Sequence, residues 1–132
     1  MAGKQRSMRS ALGRVRNHGA SGEGTSNFIA LRVTSIALAI LAPWFVVSAA
    51  LAMRDGQYAS VIDFLTYPVN AVGVVFLVAV SLYHMAIGME EVIVDYVAKP
   101  SSKIILLLLN YFAAWALGAG AVFSVLLLNF GV

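Results

Sequence analysis

The sequence predicts an all-α integral membrane protein with three transmembrane helices and a cytoplasmic N-terminus, forming part of a helical bundle with a partner membrane chain. Three observations carry this expectation. First, Val33 to Met53, about Tyr67 to Met89, and Ile104 to Phe130 are apolar runs, each at least as long as the ~20 residues that cross ~30 Å of hydrocarbon as a helix. Second, the chain is 61% hydrophobic and 11% charged, with a mean hydropathy of +0.87, which is too apolar for an ordinary soluble domain of this size. Third, lysine and arginine are unevenly distributed between the flanks of the apolar runs. The alternating pattern of a membrane barrel is absent, and helices satisfy their backbone groups without water.

The elements follow in order. Residues 1–27 read as a basic cytoplasmic tail, with Lys4, Arg6, Arg9, Arg14 and Arg16 in its first 16 positions. A basic tail suits nucleic acid or a membrane surface, and beside long apolar segments the membrane is the expected partner, not nucleic acid. The tail has no apolar stretch of the kind a secretory signal needs. Its Arg-rich, acid-poor composition leaves a transit peptide as a minor alternative, and the bacterial inner membrane is expected ahead of the mitochondrial one. Residues 28–132 read as one membrane domain, with helices at about 28–53, 66–97 and 102–130. Pro43 is expected to bend the first helix. Residues 53–66, "MRDGQYASVIDFLT", read as a short polar connection turning at Arg54-Asp55-Gly56. In the second connection, "AKPSSK", Pro100 is expected to end the second helix and Ser101 or Ser102 to cap the third.

Orientation rests on the basic residues of the short flanks. The N-terminal flank through Arg32 holds six, and the second connection holds Lys99 and Lys103. The first connection holds only Arg54, and the C-terminal end holds none. The tail and the second connection are therefore expected on the cytoplasmic side. Ala113, Ala114, Gly118 and Ala121 suit close packing of the third helix, within the chain or against a partner.

Polar residues concentrate at the end of the second run. At 100° per residue, His84, Gly88, Glu91 and Asp95 share one helical face, with His84 and Asp95 three turns (roughly 16 Å) apart. A histidine inside the hydrocarbon is a functional candidate. The chain has no cysteine and no second intramembrane histidine, so it has too few donors for a closed zinc site. A haem needs only one or two axial ligands and an apolar cleft, and Gly88, one turn along, leaves room for a porphyrin face. From spacing alone, haem ligation, an interhelical hydrogen bond and a proton relay compete on equal terms for His84. Arg32, at the start of the first run, either snorkels to the headgroups or pairs with an anionic ligand group. Thr34 and Ser35 are expected to back-bond to their own helix. Asp95 and Tyr96 stand at the cytoplasmic interface. There they form either an interfacial belt with a solvated acid or a place where a phenol donates to a quinone carbonyl.

The segment "HMAIGMEEVIVDYV", His84 to Val97, resembles the H-x10-D-Y segment of the small hydrophobic membrane-anchor subunit of succinate dehydrogenase, respiratory complex II. "SALGR" (Ser10 to Arg14) and "RVTSIAL" (Arg32 to Leu38) are similar to that subunit's tail and first-helix start. The resemblance implies that His84 is one axial ligand of a b-type haem shared with a larger cytochrome b anchor subunit. It implies that Arg32 approaches a haem propionate, and that Asp95 and Tyr96 flank a ubiquinone site. It also implies partnership with an iron–sulfur subunit and a flavoprotein subunit, which hold the remaining redox centres. By itself the chain would carry no complete active site. A quinol:fumarate reductase anchor, or a non-catalytic membrane scaffold with His84 as interhelical glue, are the alternatives.

Overall fold

The computed structural model describes residues 23–131. Residues 1–22 of the basic tail, with the "SALGR" segment, lie outside them, and residues 23–27, expected in the tail, already belong to the first helix. The described residues form four helices: α1 (Glu23–Ala52), α2 (Tyr58–Thr66), α3 (Pro68–Tyr96) and α4 (Pro100–Phe130). Three of them, α1, α3 and α4, are long and apolar enough to cross a membrane. The protein is an all-α, multi-pass membrane protein.

The long helices form an open layer with α3 in the middle. It packs against α1 on one side and α4 on the other, while α1 and α4 do not touch among the described residues. Few side chains are therefore buried: Thr34, Phe64, Ala71, Ala86, Ile87, Ile93 and Ala114. Lipid tails are as apolar as leucine, so close van der Waals fit and interhelical hydrogen bonds must hold such a layer together. The α1–α3 contact shows the first. Trp44 lies so close to Gly73 that a Cβ there would overlap two atoms of the indole ring and crowd a third. The α3–α4 contact shows the second. Asn110 Nδ2 donates to the Ala86 carbonyl at 2.8 Å, Lys103 Nζ donates to the Val94 carbonyl at 2.7 Å, and the Tyr111 hydroxyl donates to Glu90.

Two local features depart from the sequence expectation. The first connection is not simply a polar turn, because it contains α2. Gly56 turns the chain with a left-handed φ of 66°. The Asp55 carboxylate then accepts from the Gln57 backbone N–H at 3.2 Å and from Ser60 Oγ at 2.8 Å. The Ser60 hydroxyl, followed by the Gln57 amide, holds the Asp55 carboxyl below its ordinary value of 3.8. Val61, Phe64 and Leu65 recur at helical spacing. Phe64 is buried and meets Phe45 of α1 edge-on, with centroids 6.2 Å apart. Asn129 Nδ2 of α4 donates to the Leu65 carbonyl at 3.2 Å. This short helix touches all three long ones and so joins them at one end of the layer.

The second departure concerns proline. α3 has already ended at Tyr96, and Pro100 opens α4 instead of stopping α3. Lys99 is the N-cap in extended conformation, without a side-chain capping bond, so Ser101 and Ser102 lie inside the first turn. Pro68 opens α3 in the same way after the extended Tyr67. Both follow from the same physics: proline restricts its predecessor to extended backbone, and its missing N–H costs nothing at a first helical position. Pro43 lies inside α1 without ending it.

Candidate functional site

His84 lies near the middle of α3, on the side facing α1. Its partner there is Thr34, whose Oγ1 is 2.8 Å from His84 Nδ1. Thr34 is buried, at 8% exposure, and is the one buried polar side chain among the described residues. Its Oγ1 also lies 2.7 Å from the Ala30 carbonyl and 3.1 Å from that of Leu31. The expected back-bonding of Thr34 is present, and the same hydroxyl also reaches across to α3. Ser35 back-bonds alone, to the Leu31 carbonyl at 2.7 Å.

His84 Nε2 has no hydrogen-bond partner among the described residues, and no buried side-chain nitrogen or oxygen is left without one. The second ring nitrogen is therefore accessible. One turn on, a Cβ added at Gly88 would meet nothing within 4 Å, so the face beyond the imidazole is open. His84 is the only histidine among the described residues, which contain no cluster of three or more His, Cys, Asp or Glu able to hold a metal ion. These residues fit one half of a two-ligand haem site: a single imidazole with a spare nitrogen beside an open helical face. No second histidine lies among the described residues to complete such a pair.

The remaining candidates are spread out. The Arg32 guanidinium lies over the Phe28 ring, 4.9 Å from its centroid, and Arg32 is exposed. It is two positions from Thr34, about 200° around the helix, so Thr34 is the α1 side chain brought to His84. Asp95 and Tyr96 form the last turn of α3. Asp95 is exposed and Tyr96 is 83% exposed. Neither has a side-chain hydrogen bond among the described residues. Glu91 is also exposed, whereas Glu90 is partly covered and accepts from Tyr111.

An apolar groove lies elsewhere. A groove of ≈ 520 Å³ between α3 and α4 is lined by Val78, Leu82, Ala86, Ala114, Trp115 and Gly118, among others, and its walls are almost wholly apolar. None of His84, Arg32, Asp95 and Tyr96 lines it. Of the small residues expected to promote packing of the last helix, Ala114 is buried against α3, and a Cβ at Gly118 would come 3.4 Å from Leu82. Ala113 is exposed.

Sequence reasoning passed over Thr34, Asn110 and Tyr111 as interhelical donors or acceptors. The available signal was depth. In antiparallel neighbours, Thr34 lies 18 residues before the end of α1 and His84 lies 16 residues after the start of α3, which puts them level in the layer.

Residues 2–127 match the family described as "Succinate dehydrogenase/Fumarate reductase transmembrane subunit". The chain is 29% identical over 90 residues to the succinate dehydrogenase hydrophobic membrane anchor subunit of Rickettsia bellii, covering 68% of this chain and 71% of that relative. It is 29% identical over 85 residues to the subunit so named in Rickettsia conorii, covering 64% and 68%. With that of Rickettsia felis it shares 34% identity over 79 residues, covering 60% and 65%. No solved structure matches the chain. A match running through all three membrane helices, with anchor subunits as relatives, places this chain in the family of succinate dehydrogenase/fumarate reductase transmembrane subunits.

Proposed function

We propose that the chain is the small membrane anchor of a succinate:ubiquinone oxidoreductase in a bacterial inner membrane. In this role it fastens the flavoprotein and iron–sulfur subunits to the lipid and pairs with a larger cytochrome b anchor. The observation that carries the reading is His84, with Nδ1 engaged by Thr34 and Nε2 accessible inside a membrane span. That arrangement suits one axial ligand of a b-type haem, the other being supplied by the larger anchor. The haem supplies one-electron redox chemistry when bound. The open layer supports the need for a partner, because a three-helix sheet with so few buried side chains cannot enclose a macrocycle.

Asp95 and Tyr96 are the chain's contribution to the ubiquinone site. Both are exposed at the end of α3 where it leaves the apolar span. The Tyr96 hydroxyl donates to a quinone carbonyl, and Asp95 orients that hydroxyl or supplies protons as the quinone is reduced. Arg32 serves as the cationic partner of a haem propionate if the partner chain brings that edge of the haem around α1. The orientation is N-terminus inside, by the distribution of Lys and Arg. The site end of α3 then faces the compartment where succinate is oxidised. A quinol:fumarate reductase uses the same parts in the opposite direction, and redox potentials outside this chain decide between them.

The test is isolation of the intact assembly through a tag on this chain. Co-purification of flavin- and iron–sulfur-containing subunits with a low-spin b-type haem spectrum is expected. A stable complex that lacks haem would leave the scaffold reading, with His84 as interhelical glue.

A further inference from the structure

The contact between Thr34 and His84 fixes more than the spacing of two helices. Thr34 Oγ1 lies 2.7 Å from the Ala30 carbonyl oxygen, an oxygen–oxygen distance that requires a proton between the two atoms. A carbonyl has none to give, so the threonine hydroxyl donates its single proton within α1. The nearby Leu31 carbonyl, at 3.1 Å, can only share that proton. At 2.8 Å from His84 Nδ1, the hydroxyl oxygen must therefore be an acceptor. The alternative, in which Thr34 donates to an unprotonated Nδ1, would press the hydroxyl lone pairs against two carbonyl oxygens inside an apolar span. Nδ1 thus carries the N–H, and in a neutral imidazole Nε2 then carries the lone pair.

We propose that Thr34 is a positioning residue for the His84 ligand: its back-bonded hydroxyl fixes the imidazole as the Nδ1–H tautomer and aims the Nε2 lone pair at the haem iron. This rests on the haem reading given above. The device uses no carboxylate. A hydroxyl locked by its own helix provides a neutral acceptor at a depth where a carboxylate would be costly. Accepting from Nδ1–H also makes the imidazole a more basic ligand, which favours the ferric state and lowers the reduction potential.

The test uses the intact complex with Thr34→Val, Thr34→Ala, Thr34→Ser and His84→Ala. Valine keeps the shape of threonine and removes the acceptor, alanine removes both, and serine keeps the acceptor. The inference expects valine and alanine to raise the haem midpoint potential and weaken haem retention about tenfold or more, with serine restoring both. A tenfold change in the ratio of ferric to ferrous affinity is a shift of about 59 mV. If valine and alanine leave the potential and haem retention at wild-type values while His84→Ala removes the low-spin haem, the positioning role is wrong and the ligand assignment stands. A low-spin haem retained in His84→Ala overturns both. A shift in valine and alanine that serine fails to restore also overturns the proposal, because packing would then be the cause.

Discussion

Gly88 and Gly73 lie on the same helix and should respond oppositely to a larger side chain. Glycine in a helix interior costs about 1 kcal/mol relative to alanine, so each needs a reason to be there. For Gly73 the reason is inside the chain: any Cβ would overlap the Trp44 ring. Displacing that ring costs roughly 1–3 kcal/mol by analogy with overpacked cores. Gly73→Ala should therefore loosen the α1–α3 contact despite its better helix propensity. For Gly88 nothing among the described residues supplies a reason, since a Cβ there meets nothing within 4 Å. The proposed haem face supplies one. Gly88→Ala should leave this chain's own packing intact and overpack the macrocycle instead. The same 1–3 kcal/mol, at 1.4 kcal/mol per decade, weakens haem binding about five- to hundredfold. Haem per flavin, from absorbance of the purified complex, reads the loss, and thermal stability of the assembled membrane subunits separates the two variants. Full haem occupancy in Gly88→Ala would refute the assignment of that face.

Two further outcomes follow from the same account. Tyr96→Phe removes a donor whose loss costs about 0.5–1.5 kcal/mol at a neutral carbonyl and more where charge develops. Ubiquinone reduction should fall roughly tenfold or more, with Asp95→Asn also slowed, while haem content and succinate oxidation by artificial dyes stay near normal. Unchanged ubiquinone turnover and inhibitor sensitivity in Tyr96→Phe would reduce it to an interfacial residue. A reporter fused after Val132 should be active only outside the cytoplasm, and a cytoplasmic signal would reverse the topology.

The sequence revealed most about the features that depend on length and composition. Twenty or more consecutive apolar residues leave a chain few options in lipid, so α1, α3 and α4 were legible. α2 was not, because Arg54-Asp55-Gly56 made the whole connection read as polar. At nine residues it is also too short for hydropathy to single out. Its apolar side, Val61, Phe64 and Leu65, gains meaning only once Phe45 and Asn129 are known to be its neighbours. Pro100 was read as a stop for the helix before it, although proline serves as well as a first residue for the helix after it. His84, Asp95 and Tyr96 stood out because polar groups beside hydrocarbon are costly. The azimuths of the helices were not readable. It takes the packing of α1 on α3 to put Thr34 opposite His84. Asp95 and Tyr96 stand exposed at the end of α3, as the proposed site shared with a partner chain requires.

The most direct measurement is the reduced-minus-oxidised spectrum of the purified complex carrying His84→Ala, with electron paramagnetic resonance of the oxidised form. With its ligating nitrogen removed, the haem should be lost or turn high-spin, while succinate oxidation with artificial acceptors persists in the assembled complex. An unaltered low-spin b-type spectrum in His84→Ala would contradict the account.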